Sequence, residues 1–212
     1  MFLSLFQQNP AFAVAVLLGF VVGIVLHEAA HAYSAYLLGD DTAYRAGRVT
    51  LNPASHLDVL GSLMLLMAGF GWGKPTPVMP SKLRGGVLGP VAVAFAGPAS
   101  NLLIVALCAA LYLLPAFQVG YLRLIVLAMA FVNALLFVFN LIPIPPLDGA
   151  KVIFPFLPRS MSGFVAFMNQ YGPMILLGLV LVAIFIPRFS VFGFLLTPVR
   201  PILTAFGFPP ML

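Results

Sequence analysis

Long apolar runs separated by short polar loops are the dominant pattern along this chain. The first begins at Ala11 and holds sixteen consecutive residues, AFAVAVLLGFVVGIVL, without a charge or a strong hydrogen-bonding side chain. Apolar runs of about 18 residues or more are typical of transmembrane helices, because roughly 20 residues at 1.5 Å rise cross a hydrocarbon core about 30 Å thick. The pattern therefore predicts membrane-spanning helices at residues 10–38, 87–114, 121–142 and 168–186.

Three shorter stretches do not fit a simple crossing. Residues 44–50 alternate in polarity and contain the β-branched Val49 and Thr50, which predicts a short strand or hairpin at the membrane surface. Residues 59–70 are apolar but too short to cross, which is typical of a re-entrant or interfacial segment. Prolines interrupt residues 189–206, which indicates a short hydrophobic or interfacial segment. We expect an all-α polytopic membrane protein with about four to six membrane segments.

The composition excludes a water-soluble globular domain. Of 212 residues, 62% are hydrophobic and 7% are charged, and the mean hydropathy is +1.12. The net charge of +5 comes from basic residues spread through short loops, a pattern that sets membrane topology more often than it binds nucleic acid. The expected partner is the lipid bilayer, with no nucleic acid. The first basic residue is Arg45, so the first helix is not expected to be a cleaved signal peptide. We expect one integral-membrane domain over residues 1–212, with a core at about 10–160 and C-terminal helices at 161–212.

The motif HEAAH places three ionisable side chains at the end of the first apolar run. His27 and His31 are four residues apart, so their imidazoles lie on one helical face, close enough to hold one metal ion. Glu28 is the only glutamate of the chain, and a carboxylate beside such a face can deprotonate a water that zinc activates. The alternative is a pair of interior histidines satisfied by carbonyl groups, but burying this triplet in lipid is costly. The motif therefore predicts a buried zinc site with one ion per chain.

A hydrolytic zinc site usually has three protein ligands and one open position, so a third ligand is expected. The candidates are Asp40, Asp41, Asp58, Asp148, His56 and Cys108. Asp148 is the strongest candidate, because it lies in NLIPIPPLDG, where prolines break a helix at membrane depth. Irregular backbone is tolerated there only around protein or a water-filled cavity, so the break itself indicates a site. The alternative role of Asp148 is to cap a short helix that starts near Ala150. Loop or cap roles are expected for Asp40, Asp41 and Asp58, and a packing role for Cys108.

Three motifs follow one another along the chain: HEAAH at 27–31, GPASN at 97–101 and NLIPIPPLDG at 140–149. They resemble the H-E-x-x-H, G-x-x-x-N and N-x-x-P-x-P-x-x-D-G motifs of the site-2 protease family, which consists of intramembrane zinc metalloproteases. GRVTLNP and GWGKPTPV resemble the small bacterial and archaeal branch of that family. The resemblance covers about residues 20 to 187 and implies cleavage of peptide bonds in or next to the transmembrane helices of substrate proteins. The chain length leaves no room for the PDZ domain that many members insert.

The resemblance and the chemistry of the residues together imply a role for each candidate. The expected metal ligands are His27, His31 and Asp148. Glu28 is expected to take a proton from the attacking water and to pass it to the leaving amine. Asn101 or Asn140 could donate a hydrogen bond to the oxyanion, or each could bridge helices. His56 could contact substrate or metal at the mouth of the site, or lie at the interface. Gly97 is expected to permit close helix packing.

Topology gives an independent expectation, because zinc ligands must meet at one depth on one side. An even number of crossings must then separate His31 from Asp148, so residues 59–70 should dip in and return. On this arrangement one side carries seven basic residues: Arg45, Arg48, Lys74, Lys82, Arg84, Lys151 and Arg159. Arg123 and Arg188 lie on the other side, so the positive-inside rule places the active site toward the cytoplasm. The expected location is the cell (inner) membrane of a prokaryote.

Two other classes of function are alternatives to a protease. A membrane metal-ion transporter could use the histidines and Asp148 as a transit site. It should then carry strongly polar side chains through the other half of the bilayer, and residues 11–26 and 102–114 carry none. A non-catalytic membrane scaffold would give no reason for a carboxylate between two histidines.

Overall fold

Helices account for the regular structure of this chain, which a computed structural model describes over residues 6–68, 71–185 and 191–209. They are α1 (Pro10–Leu37), α2 (Thr42–Arg45), α3 (Pro53–His56), α4 (Val59–Ala68), α5 (Leu88–Tyr112), α6 (Gly120–Asn140), α7 (Asp148–Ile153), α8 (Ser162–Phe185) and α9 (Val191–Ala205). Short 3₁₀ turns occupy Pro80–Lys82, Pro115–Gln118, Phe154–Phe156 and Arg159–Met161.

Four helices of the described residues are long and apolar enough to cross a membrane. They are Pro10–Leu37, Leu88–Tyr112, Gly120–Asn140 and Arg159–Val182. Helix α1 begins where Asn9 Oδ1 accepts a hydrogen bond from the Phe12 N–H at 3.0 Å, with Pro10 in its first turn. The four helices coincide with the predicted spans, so the prediction of an all-α polytopic membrane protein is confirmed.

Helices α1, α5 and α6 pack against one another and form the centre of the molecule. Glycines let α1 approach α6 closely: a Cβ on Gly23 would lie 2.7 Å from Asn133 Oδ1, and one on Gly19 would lie 3.1 Å from Val132 Cβ. Small residues at such contacts are typical of helix pairs in membranes, where close packing holds helices together. Helix α7 lies against α5, and α9 lies against α6. This packing brings the start of α7 beside the HEAAH turn of α1.

The hairpin predicted at residues 44–50 is wrong. Thr42–Arg45 forms the one-turn helix α2, and Gly47 ends it with a φ of +67°. The N–H groups of Gly47 and of the next residue bond back into that turn, which is how a glycine commonly closes a helix. These local bonds use the backbone groups that a partner strand would need, and they override the alternation of side chains. Pairing of β type within the described ranges is one bridge between Leu57 and Gly73.

The residues that flank the predicted re-entrant segment 59–70 lie side by side in the structure. Leu57 pairs with Gly73, and the Lys74 N–H donates to the His56 carbonyl at 2.7 Å. Residues 69 and 70 lie outside the described residues. This arrangement agrees with the expectation that the segment dips in and returns.

Helix α9 packs into the core, whereas an interfacial segment was one expectation for residues 189–206. Val199 is 0% exposed and Leu203 is 4% exposed. Both belong to one apolar cluster with residues of α5 and α6, namely Ile104, Val105, Cys108, Val126, Ala130 and Ala134. Residues 189 and 190 lie outside the described residues. The C-terminal helix therefore stabilises the same core that holds the candidate site.

Candidate metal centre

The two histidines of HEAAH and the aspartate of the proline break come together in the structure. His27 Nε2 and His31 Nε2 lie 3.0 Å apart, and Asp148 Oδ2 lies 3.1 Å from the first and 3.2 Å from the second. All three residues are buried. One atom of each residue faces a common point, which is the arrangement expected of three protein ligands around one metal ion.

Hydrogen bonds on the far side of each imidazole fix which nitrogen faces this point. His31 Nδ1 donates to the Val93 carbonyl at 2.7 Å, and His27 Nδ1 donates to Asn101 Oδ1 at 2.8 Å. In the neutral rings each Nε2 therefore presents a lone pair. Two lone pairs and a carboxylate oxygen repel one another unless a cation lies among them. Zinc–nitrogen bonds of about 2.0–2.1 Å place tetrahedral ligands about 3.3 Å apart. The observed separations of 3.0, 3.1 and 3.2 Å fit that spacing.

The backbone at the proline break delivers Asp148 to the histidines. Leu147 occupies the cap position of α7, and the hydrogen bonds of the Asp148 carboxylate run to side chains and not to the helix backbone. Gly149 leaves room for this turn, because a Cβ there would lie 2.2 Å from the Leu141 carbonyl oxygen. Asp148 Oδ1 lies 3.3 Å from Lys151 Nζ.

Gly97 on α5 leaves the space that a metal ion needs. A Cβ at this position would lie 2.4 Å from His31 Nε2 and 2.6 Å from His27 Nε2. A larger residue would therefore push the imidazoles out of place. We expected Gly97 to permit helix packing, and the structure adds that it lies directly beside the Nε2 atoms of both histidines.

Glu28 contacts the segment that follows α4 and is not one of the converging ligands. Its Oε2 accepts hydrogen bonds from the Thr76 N–H at 2.9 Å and from Thr76 Oγ1 at 2.7 Å. Arg48 Nη2 lies 4.0 Å from the same oxygen. Glu28 is therefore beside the group of ligand atoms and is not part of it.

An apolar cavity of about 580 Å³ opens beside the site. His27 and Glu28 form part of its wall on α1, and Asn140 forms part of its wall on α6. The apolar side chains around it include Ile24, Leu136, Phe139, Pro173, Leu176 and Leu177. The cavity thus extends from the candidate site to helix α8.

Asn101 is fully buried and contacts the site through His27. Its amide nitrogen donates to the Gly23 carbonyl at 3.2 Å and to Asn133 Oδ1 at 3.0 Å. These two bonds use both of its N–H groups, so no donor is left for an oxyanion. The contact with His27 is that of a residue that orients a metal ligand.

Asn140 and His56 differ in their access to the cavity. Asn140 lines it and donates from Nδ2 to the Leu136 carbonyl at 3.0 Å, which leaves a second amide N–H. His56 is 0% exposed, its Nε2 donates to the Thr50 carbonyl at 2.8 Å, and its Nδ1 has no hydrogen-bond partner in the described structure. His56 is not one of the residues whose ligand atoms converge.

The other candidates for a third ligand lie elsewhere. Asp40 and Asp58 accept backbone N–H groups next to helix starts, which is a capping role. Burial alone would raise the pKa of Asp40, but hydrogen bonds from Thr42 and from the Met79 N–H hold that pKa below its usual range. Asp41 pairs with exposed basic side chains. Cys108 is buried in the apolar core. These residues hold the scaffold and do not reach the histidines.

Some residues that touch the site were not predicted from the sequence. Asn133 carried a usable signal, because a lone amide inside an apolar run often bonds across helices. Val93 contributes only its backbone carbonyl, which no side-chain pattern reveals. Arg48 and Thr76 come from separate loops, and only the fold brings them to Glu28.

Comparisons with known proteins agree with this geometry. Residues 114–181 match the family described as Peptidase family M50. The "Putative zinc metalloprotease YwhC" of Bacillus subtilis (strain 168) is 38% identical over 161 residues, which are 72% of this chain and 73% of that protein. The "Putative zinc metalloprotease Rip2" of Mycolicibacterium smegmatis is 31% identical over 181 residues, which are 79% of this chain and 67% of that protein. No solved structure gives a significant match. The chain therefore belongs to peptidase family M50, the site-2 protease family of zinc metalloproteases.

Proposed function

We propose that this zinc metalloprotease hydrolyses peptide bonds in or next to the transmembrane helices of substrate proteins. The observation that carries the proposal is the cavity of about 580 Å³, whose apolar walls come largely from α1, α6 and α8 and which has Glu28 in its wall. These helices are long and apolar enough to lie within the bilayer. An apolar substrate segment can therefore reach the site from lipid, and its side chains suit walls of this kind.

Each residue of the centre has a proposed task. His27, His31 and Asp148 hold one zinc ion. When bound, zinc supplies a Lewis acid that polarises the scissile carbonyl and makes a nearby water more acidic. The Glu28 carboxylate takes the proton of the attacking water and later gives it to the leaving amine. The free amide N–H of Asn140 donates to the oxyanion from the cavity wall.

We place this centre at the cytoplasmic side of a prokaryotic cell membrane, in one domain over residues 1–212. The support is the bias of basic residues toward the loops on the side where HEAAH ends. Water and the cytoplasm then lie next to the end of α1, where the hydrolytic water must enter.

Cleavage of a model transmembrane substrate by purified, zinc-loaded protein tests the proposal. Cut sites mapped by mass spectrometry should fall in the apolar segment or beside it. Glu28→Gln keeps the size of the side chain but cannot accept the proton, so turnover should fall by roughly 10²- to 10⁴-fold. Zinc should stay at about one ion per chain in this variant, because Glu28 is not a ligand.

Three results would contradict parts of this account. Wild-type turnover in Glu28→Gln would show that Glu28 is not the general base. Cleavage confined to water-soluble peptides would show that transmembrane helices are not the substrates. Zinc movement across liposomes without any cleavage would favour the metal-ion transporter.

A further inference from the structure

The Glu28 carboxylate is restrained by a loop that carries no metal ligand. Both of its described hydrogen bonds come from Thr76, through the N–H at 2.9 Å and the hydroxyl at 2.7 Å, and both end on Oε2. Thr76 Oγ1 also lies 3.1 Å from the backbone carbonyl oxygen of Glu28. Thr76 thus contacts the backbone and the side chain of this one residue.

Arg48 lies behind Thr76 and fixes the residues that precede it. Its Nη2 donates to the Lys74 carbonyl and its Nη1 donates to the Pro75 carbonyl, the latter at 3.3 Å. The same Nη2 lies 4.0 Å from Glu28 Oε2, and the Arg48 side chain is only 6% exposed. Water and salt screen a buried pair of charges much less than an exposed one. Arg48 therefore holds the loop and also places a positive charge beside Oε2.

The loop reaches Glu28 because it lies flat against α1. A Cβ on Gly73 would lie 2.7 Å from Ile24 Cγ2 and 3.5 Å from Glu28 Cγ. The Lys74 N–H donates to the His56 carbonyl, and the Lys74 carbonyl accepts from Arg48. The backbone just before Thr76 is therefore held by two residues. Because this backbone is fixed, the Thr76 hydroxyl can hold the Glu28 carboxylate in one rotamer.

We propose that Thr76 and Arg48 are positioning residues, which hold Oε2 of Glu28 and leave Oε1 to take the proton. None of the described hydrogen bonds reaches Oε1, and Glu28 lines the cavity in which the substrate is proposed to lie. A glutamate side chain rotates freely unless it is restrained, and a misplacement of about 1 Å can cost roughly 10²-fold in rate. This inference rests on the proposed role of Glu28 as the general base.

A pair of Thr76 variants tests the positioning role. Thr76→Val keeps the shape and the backbone N–H but removes the hydroxyl, so kcat should fall by roughly 10- to 100-fold. KM should change by less than about twofold, because the lost contact restrains the base and does not bind substrate. Zinc should remain at about one ion per chain. Thr76→Ser restores the hydroxyl, and its kcat should lie within about threefold of the wild-type value.

Two further comparisons complete the test. Thr204→Val is the matched control, because among the described residues its hydroxyl bonds only to the Arg200 carbonyl within α9, at 3.0 Å, and kcat should be unchanged. Arg48→Lys keeps a positive charge and Arg48→Met does not, so kcat should fall less in the first than in the second. The Thr76 pair decides the proposal by itself if an Arg48 variant fails to fold.

Three outcomes would overturn the positioning role. They are a wild-type kcat in Thr76→Val, equal losses in Thr76→Val and Thr76→Ser, and a loss of kcat accompanied by a loss of zinc. Glu28→Gln in the same assay separates this proposal from the proposed function. A wild-type rate in that variant would contradict the role of Glu28 as general base. A large loss in that variant with no effect of Thr76→Val would contradict only the positioning role of Thr76.

Discussion

Metal binding at this site requires that the Nε2 atoms of both histidines carry no proton. The Val93 carbonyl and Asn101 Oδ1 take up the Nδ1–H groups of the histidines, so two Nε2 lone pairs face Asp148. Asn101 is in turn held by Asn133, whose amide donates to the Met129 carbonyl at 2.8 Å. Partners that orient metal ligands in this way typically change metal affinity by 10- to 100-fold when they are removed. The site is therefore a network of several helices and not three isolated side chains.

Gly97→Ala should empty the metal site without touching a ligand. The new methyl group would lie 2.4 Å from His31 Nε2, so the imidazole must move and the three ligand atoms no longer converge. Zinc per chain, measured by mass spectrometry, should fall together with cleavage. Gly163→Ala is the control, because a Cβ there has nothing within 4 Å, and it should keep its zinc. Full zinc and wild-type cleavage in Gly97→Ala would show that the helices can separate to make room.

The residues of the site differ in how far the sequence reveals them. HEAAH could be predicted because its spacing acts within one helix, whatever the rest of the fold. Asp148 could be predicted because prolines break the backbone there. Thr76 and Arg48 could not, because 48 residues separate Thr76 from Glu28 and only the return of the re-entrant segment brings them together.

The helices show where local bonding and tertiary packing override a sequence pattern. Alternation predicted a hairpin at residues 44–50, but Gly47 closes a helical turn instead. The prolines of α9 suggested a peripheral segment, but Val199, which lies between Pro198 and Pro201, is buried in the apolar cluster with residues of α6. Length and hydropathy predicted the four long helices, because those properties are averages over many residues.

Leu203→Ala tests whether α9 belongs to the stable core. Leu203 is 4% exposed and packs in the apolar cluster of α5 and α6, so its truncation leaves a cavity. The free energy of unfolding should fall by about 2–5 kcal/mol, which a lower Tm in detergent would report. The neighbouring Thr204→Ala change lies on the exposed face and should cost no more than about 0.5 kcal/mol. Equal Tm values for the two variants would mean that α9 is not part of the core.

At the scale of the whole molecule, the site forms because the chain returns to its starting side. Helices α5 and α6 lie between HEAAH and Asp148, and the residues that flank segment 59–70 meet. The requirement that the metal ligands meet on one side predicted an even number of crossings from the sequence, and the contact of Asp148 with both histidines agrees with it.

Cysteine labelling tests the crossing by α5. After replacement of Cys108, single cysteines at Ser81 and Gln118, which are both exposed, should react with membrane-impermeant reagents from opposite sides. The Ser81 position should label from the cytoplasm, because it shares a loop with Lys82 and Arg84. Labelling of both positions from one side would rule out the two crossings between the histidines and Asp148.

The zinc content of Asp148→Ala tests the central claim, that His27, His31 and Asp148 together hold the catalytic metal. Removal of Asp148 leaves two protein ligands, so zinc per chain and cleavage should fall together. Asp58→Ala is the matched control, since Asp58 accepts a hydrogen bond from the Gly61 N–H at 2.8 Å and is remote from the converging atoms, and it should keep its zinc. Asp148→Ala protein that remained fully zinc-loaded and active would contradict the account, and the third ligand would then have to be a different residue.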